Sequence, residues 1–460
     1  MDDSNTEIPE ILVPRVEPAP KPLRFPSNLI QLLSNNLKII PAAAYREDVV
    51  IAPGPPRMAF VTGAEALKTV LQGKDDEFPR GQLSLDIQAP LFGNAMIQSH
   101  GGDWRWQRRL MAPLFRHEEL LSYTDIMSGV AEDLIALWRK NPPTGVRPVN
   151  QDMMQATLAV ISRTMLGGSS DKVRAVMEAG HAEYYRQINW WILYCMLRLP
   201  HGLPRPGGSA MRTHEKHLRE AVRTLVHARR EADMKGEDLL GRLLQSKHPE
   251  TGLAMTEEQL VDNIIAFFVA GSDTTALALT WALYLIARSP QWAHRMRVEV
   301  ERVAGDAPIG REHLSELVVV KQVLNETLRL FPTAPVTVRD TLRDVELGGV
   351  PISAGTIIIV PFYAIHRHQS FWRNPDRFDP ARFAADAPDK PGRYHFLPFG
   401  AGPRICIGAA FSMIEATIML AALVRAADFE LTSGYEPQVT GQMFLTPGGD
   451  MPMRIRLRGY

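Results

Sequence analysis

The run Thr256-Glu-Glu-Gln259, followed by helical apolar spacing from Leu260 to about Arg288, constrains the fold more than any other stretch. Thr256 and Gln259 form a capping box, the reciprocal side-chain arrangement that satisfies free amides at a helix start. At 1.5 Å per residue such a helix spans roughly 48 Å, so it must cross the whole molecule while the rest of the chain packs around it. Its centre is unusual. Ala270-Gly271-Ser272-Asp273-Thr274-Thr275 places a glycine, which costs about 1 kcal/mol against alanine, beside residue types that compete for backbone hydrogen bonds. A purely structural helix does not favour that choice. Two readings compete: a packing kink in which a threonine bonds the carbonyl one turn back, or a widened groove that holds an acid and a hydroxyl against something bound beside it.

The chain around this helix has 460 residues, beyond the ~250 to 300 at which one core usually stops growing. One large two-lobed domain or two domains are expected. No run approaches the ~18 consecutive apolar residues of a membrane span, which predicts a soluble protein. Lys+Arg and Asp+Glu both total 51, so the basic excess typical of nucleic-acid or anionic-lipid binding is missing. Two cysteines, Cys195 and Cys406, give no disulfide framework and predict a reducing, cytoplasmic setting. Residues 1–44 read as a loose, proline-rich extended lead-in without a secretion signal, and residues 45–460 as a single domain.

Along that domain, residues 47 to 70 read as short strands and then a helix from about Gly63. Helical spacing follows near 104–115, 117–139, 150–166, 170–199, 212–233 and 237–246, with a Gly/Pro-rich break at Pro200 to Gly208. A helix is predicted from His313 to Phe331, ended by Pro332, and Ser289-Pro290 is read as a helix cap. Residues 344–365 return to β character with Gly348-Gly349 as a turn, and 429–457 read as a strand pair. The fold class is therefore mainly α with a minor β lobe.

Two further patterns carry chemistry. Glu326 and Arg329 are neighbours on a helix face, and Val319, Val323 and Leu330 lie on the same apolar stripe. An exposed pair contributes only about 0.2 to 0.5 kcal/mol, but this stripe predicts burial, and buried charges need dedicated partners. Arg382 is read as a third member. The second pattern is Phe399-Gly-Ala-Gly-Pro-Arg-Ile-Cys406-Ile-Gly408, a glycine-rich loop opening a helix from Ala409 to Arg425. Free amides and the helix dipole at that position are expected to favour a thiolate. A dinucleotide fingerprint fails because its third glycine position is Ile405. A cysteine nucleophile would need a base such as His395, and no strand-to-helix elbow supports that pairing. An axial thiolate ligand to haem iron is the remaining reading. Cys195 sits among apolar neighbours and is read as a small core residue.

With these motifs in place, the sequence resembles the cytochrome P-450 superfamily, the haem-thiolate monooxygenases. Phe399 to Gly408 matches its cysteine loop, Glu326 to Arg329 its Glu-x-x-Arg helix with Arg382 completing the triad, and Ala270 to Thr275 its oxygen-activation segment. Trp104-Arg-Trp-Gln-Arg108 matches its haem-edge helix. The resemblance implies the cytochrome P-450 fold, with haem b between the long central helix and the cysteine-loop helix, and Cys406 as fifth ligand. It places the propionates near Trp104, Arg108, Arg339 and Arg404, with Phe399 at the head of the cysteine loop, and makes Asp273 a proton shuttle and Thr274 the hydroxyl that orients water. His100, four residues before Trp104, is read as a loop histidine.

The resemblance further implies a pocket formed by Leu91, Phe92, Met96, Ile97, Tyr184, Phe267, Ala270, Val336, Thr337, Phe444 and Leu445. These are nearly all apolar, which suits hydroxylation of a lipophilic small molecule by O2. No flavin or nicotinamide fingerprint or cysteine cluster is present, so electrons are expected from a separate partner, a ferredoxin with its reductase. Arg109, Arg116, Lys390 and Arg393 are candidate cations for its docking face. A peroxide-using or isomerising haem-thiolate enzyme and a non-catalytic haem carrier remain alternatives. A zinc site at His214-Glu-Lys-His217 lacks the four-residue histidine spacing.

Overall fold

The computed structural model describes residues 11–459 apart from 24–26, 53, 55, 74–76, 142–144, 168–172, 174, 177–189, 198, 201–203, 205, 232–237, 249 and 389. In chain order the helices are α1 (Ser27–Ser34), α2 (Ala64–Gln72), α3 (Gln82–Phe92), α4 (Gly101–Met111), α5 (His117–Leu121), α6 (Thr124–Lys140) and α7 (Val149–Leu166). They continue with α8 (Gly208–Glu231), α9 (Leu239–Gln245), α10 (Glu257–Arg288), α11 (Pro290–Ala304), α12 (Val318–Leu330), α13 (Phe362–Ile365) and α14 (Ala409–Ala426). Residues 190–196 are also helical.

α10 is the axis of the body. The Gln259 amide donates to Thr256 Oγ1 at 3.2 Å and the Thr256 amide to Gln259 Oε1 at 3.1 Å, closing the capping box. α10 packs on α7, α8, α12 and α14, and α14 in turn packs on α6, α11 and α12. Both α10 and α14 are long and apolar enough in composition to cross a membrane, yet 78% of each apolar window is buried inside the molecule. A helix largely covered by its neighbours accounts for this apolar composition.

The β structure is peripheral. β1 (Val49–Ala52), β2 (Met58–Val61), β4 (Thr337–Asp340) and β7 (Ile357–Val360) form a sheet in the order β1-β2-β7-β4, with β2 and β7 parallel. β5 (Val345–Leu347) and β6 (Val350–Ile352) make the hairpin at Gly348-Gly349. β3 (Val146–Pro148) and β8 (Ala427–Leu431) flank β11 (Pro452–Leu457), so the C-terminal strand pair is a three-stranded sheet; β9 (Thr440–Gly441) and β10 (Leu445–Thr446) form a small ribbon.

Several boundaries differ from the sequence expectation. The stretch 117–139 splits into α5 and α6, and the 104–115 stretch starts earlier, at Gly101, and tightens into a 3-10 turn, Ala112–Phe115, around Pro113. α12 begins at Val318, not His313, because the Glu299 carboxylate accepts the Val319 and Val320 amides at 2.8 and 3.0 Å and so supplies the start signal from another helix. Ser289 makes no side-chain cap bond. The 170–199 stretch lies largely outside the described residues. From Ile11 on, the proline-rich lead-in is docked on the body. Ile11, Val13 and Val16 are buried in the main core, and the Val13 amide donates to the Asp376 carbonyl at 3.1 Å.

Candidate active site

The cysteine loop takes its shape from backbone contacts. The Cys406 amide donates to the Phe399 carbonyl at 3.0 Å, and Gly402–Arg404 forms a 3-10 turn. Gly402 has φ +73° and lies so close to α2 that a Cβ would fall 2.0 Å from the Leu71 carbonyl oxygen, so only glycine fits. Gly408 caps α14, which puts Cys406 just before the helix start. Cys406 keeps solvent-exposed surface although protein surrounds its thiol, so the residue sits outside the packed core.

Electrostatics at this sulfur run against the sequence expectation. Desolvation pushes the thiol pKa up, and the Gly408 amide and the Arg108 guanidinium only partly offset that rise. The helix start therefore does not by itself make the thiolate; binding of a cation at the sulfur would supply the missing stabilisation.

The cations beside the loop come from α4 and from the loop itself. Trp104 and Arg108 stand one turn apart on α4, both half-buried. The Arg404 guanidinium lies 4.1 Å over the Trp104 ring and donates to the Ser99 carbonyl at 2.8 Å. Burial lowers the Arg108 pKa and Arg404 lowers it further, while Cys406 raises it. Among the described residues Arg108 has no carboxylate partner. Two guanidiniums crowded together next to a thiol fit an iron porphyrin, whose carboxylates would neutralise the cations and whose metal would take the sulfur. Arg339 is buried, donating to Thr337 Oγ1 at 3.2 Å and to the Val338 carbonyl at 3.0 Å. His100 is exposed at the start of α4.

On α10, Phe267, Ala270, Gly271 and Thr274 are half-buried while their neighbours are buried, a spacing of three and four residues that defines one open stripe. α10 runs through this segment as unbroken α-helix. The Thr274 hydroxyl donates to the Ala270 carbonyl at 2.7 Å, and Gly271 lets Ile161 of α7 pack close, since a Cβ would meet its terminal methyl at 2.6 Å. The threonine bond of the first reading is thus present, and the helix continues through the segment. Asp273 faces inward at 1% exposure, with the Ser272 hydroxyl donating to it at 3.2 Å. The Thr275 and Ser412 hydroxyls meet at 3.0 Å, joining α10 to α14 below the cysteine loop.

Glu326, Arg329 and Arg382 come together. Arg329 makes a two-pronged pair with Glu326 at 2.7 and 2.8 Å, and both are fully buried. Its other donors reach the His366, Pro375 and Arg377 carbonyls at 2.8, 2.7 and 3.1 Å, while Glu326 accepts the Asp379 amide at 2.8 Å. Arg382 Nε lies 3.6 Å from Glu326. Glu326 and Arg329 are thus fully answered, the condition for a buried ion pair to persist, while Arg382 Nε makes no hydrogen bond. Sequence reasoning missed His366, whose Nε2 accepts the Leu397 amide at 2.8 Å and so ties this cluster to the entry of the cysteine loop.

Of the pocket set, Met96, Ile97, Phe267, Ala270, Val336, Thr337 and Phe444 are half-buried. Leu91, Phe92 and Leu445 are buried in the core, and the Leu445 carbonyl accepts from Trp281 Nε1 at 3.1 Å. Tyr184 lies outside the described residues. Cys195 is buried, His395 stacks on Phe371 at 3.9 Å, and no metal-type cluster occurs among the described residues.

Comparison with known proteins shows the family and the fold. Residues 18–450 match the family model Cytochrome P450. The chain is 30% identical to 11-oxo-beta-amyrin 30-oxidase of Glycyrrhiza uralensis over 86% of its own length and 77% of that protein. It is also 30% identical to cyclooctat-9-en-7-ol 5-monooxygenase of Streptomyces melanosporofaciens over 83% of its length and 82% of that protein. The crystal structure of the cytochrome P450DA heme domain superposes with a TM-score of 0.83 at 24% identity, covering 96% of this chain and 98% of that one.

Proposed function

From the premise that the chain belongs to the cytochrome P450 family and is a haem b monooxygenase, we propose that it hydroxylates a C–H bond of a lipophilic small molecule, with Cys406 as the thiolate ligand. The observation that carries this reading is Cys406, an exposed residue just before α14 whose thiol is desolvated and answered by Arg108, itself under the charge of Arg404. Haem held there supplies the metal at which O2 is activated. Arg108, Arg404 and Trp104 hold its carboxylates, and Arg339 contributes a further buried cation.

Thr274 acts at the cleft. Because its proton is committed to the Ala270 carbonyl, its Oγ1 lone pairs are left to accept from a water in the cleft and hold it in line. Asp273, one residue away and dry, is the acid that passes protons through the Ser272 hydroxyl side of the helix. Met96, Ile97, Phe267, Val336 and Phe444 give the cleft an apolar wall that excludes bulk water. The relatives named for 11-oxo-beta-amyrin and cyclooctat-9-en-7-ol favour a substrate of that lipophilic kind.

Residues 45–460 form the catalytic domain in this reading, with the lead-in docked against it. Electrons arrive from a ferredoxin and its reductase at a face carrying the exposed Arg116, Lys390 and Arg393; Arg109, also exposed, pairs with Glu250 at 2.7 Å. A soluble, cytoplasmic enzyme fits a chain whose two cysteines are a core residue and the metal ligand. The deciding experiment is the ferrous–carbonyl spectrum of wild type and Cys406→Ala. A thiolate-type band in the wild type that is lost in the variant is expected; the same band in both would overturn the ligand assignment.

A further inference from the structure

Asp262 and Asn263 are adjacent on α10 at 2% and 1% exposure, and neither takes part in the chemistry above. Asp262 Oδ2 accepts the Asn94 amide at 2.6 Å, and Oδ1 is paired with the Arg219 guanidinium of α8. Gly93 approaches so closely that a Cβ would lie 2.5 Å from Oδ2, so the loop is wrapped on this carboxylate. Asn263 Oδ1 accepts the Met96 amide at 2.9 Å, and its Nδ2 donates to Gln107 Oε1 at 2.8 Å and to the Gln259 carbonyl at 2.7 Å. Gln107, fully buried on α4, returns a bond from Nε2 to the Asn94 carbonyl at 3.0 Å.

These bonds fasten one short loop, residues 93–97, that carries Met96 and Ile97 of the cleft wall. Asn263 is also one turn from Phe267, the first residue of the open stripe. Loops are usually held by their own turns and by solvent, so two dry side chains spent on this one point to a position that matters. Asn263 also reaches Gln107 of α4, whereas Asp262 also reaches Arg219 of α8. Around it, α8 and the first turn of α10 share exposed pairs, Arg223 with Glu258 at 2.7 Å and Arg230 with Glu257 at 3.4 Å, which contribute little and are screened by salt. The Arg219–Asp262 pair is shielded and charge-assisted, the kind of contact that dominates such a set.

Resting on the reading of the cleft as the substrate pocket, we propose that Asp262 and Asn263 are positioning residues for its wall. Asp262 fastens both the Gly93–Ile97 loop and helix α8 to the central helix, and ligand exchange requires the Arg219–Asp262 contact to part while the Asn94 contact stays made. Asp262→Asn separates the two, because an amide oxygen still accepts from Asn94 but carries no charge for Arg219.

The test uses the haem-loaded full chain and 4-phenylimidazole as an optical probe, with association and dissociation followed by stopped flow. Losing a charge-assisted contact of this kind is expected to raise both rates about tenfold in Asp262→Asn and in Arg219→Gln. The double variant is expected to be no faster than either single one, and Arg219→Lys to restore wild-type exchange. Arg223→Gln, or salt at about 0.5 M, is expected to change rates less than twofold. Rates within twofold of wild type in Arg219→Gln, or additive effects in the double variant, would overturn the proposal; Arg219→Gln alone decides if Asp262→Asn does not fold. A thiolate-type ferrous–carbonyl spectrum in every variant keeps the functional reading intact whichever way the rates fall, and its absence in the wild type sinks that reading separately.

Discussion

The His366 imidazole accepts the Leu397 amide at 2.8 Å, and its own carbonyl accepts Arg329 at 2.8 Å, so one residue couples the buried ion pair to the strand of chain that enters the cysteine loop. Burial, and then the positive charges of Arg329 and Arg367, push its pKa down to about 3. It is neutral in the folded protein, which leaves Nε2 free to accept.

Acid should therefore weaken the fold through His366. Between the ordinary value near 6.5 and about 3 the unfolded chain takes up a proton that the native state refuses, so this contribution is complete above pH ~6.5 and is lost as pH falls, at up to about 1.4 kcal/mol per pH unit. Denaturant midpoints measured from pH 7 to 4 should show a shallower decline in His366→Gln than in wild type. Equal slopes would remove His366 as the cause.

Removing one half of the buried pair is expected to be severe. Arg329→Met leaves the Glu326 carboxylate at 0% exposure without its two-pronged partner, a cost of about 3–5 kcal/mol. Haem retention on a desalting column should fall with thermal stability. Arg329→Lys should recover little, because one ammonium cannot replace a fork serving Glu326 and three carbonyls.

Thr274→Ala should fold and bind haem normally, since among the described residues the hydroxyl bonds only the Ala270 carbonyl of its own helix. Product formed per electron pair is expected to drop about tenfold or more, within the range for lost proton positioning, with peroxide rising to match. Tight coupling in this variant, measured by oxygen and product balance, would take the role away from Thr274.

Glu415 should destabilise the protein at neutral pH. It sits fully buried on α14 with neither carboxylate oxygen hydrogen-bonded, and desolvation raises its pKa well above the usual 4.5. The native state keeps the proton that the unfolded chain releases, so stability is present below pH ~4.5 and is lost as pH rises towards the folded value. Glu415→Met is expected to gain about 1–3 kcal/mol at pH 8 and to flatten that decline in a urea titration. A loss of stability in this variant would point to a partner for the acid.

Periodicity made α10 and α14 legible because an amphipathic or wholly apolar repeat and a capping box are local properties of the chain. The same is true of Gly348-Gly349 as a turn. The start of α12 was not legible, since its amides are capped by Glu299 from another helix, and the division of α5 from α6 carried no glycine or proline signal. The docking of Ile11, Val13 and Val16 was hidden for a similar reason: prolines describe an extended backbone but not what it lies against.

At the site, residue types and their spacing already named the chemical cast: a cysteine before a helix, an arginine-rich helix edge, a buried Glu-x-x-Arg and an acid-alcohol pair in a long helix. Tertiary structure decided how these act. It desolvated the Cys406 thiol so that burial outweighs the helix start, turned the Thr274 proton into the helix, and gave Asp262 two partners, Asn94 and Arg219, far from it in sequence. Desolvation and partner choice depend on what the rest of the chain brings near, and residue spacing along the chain carries no record of that.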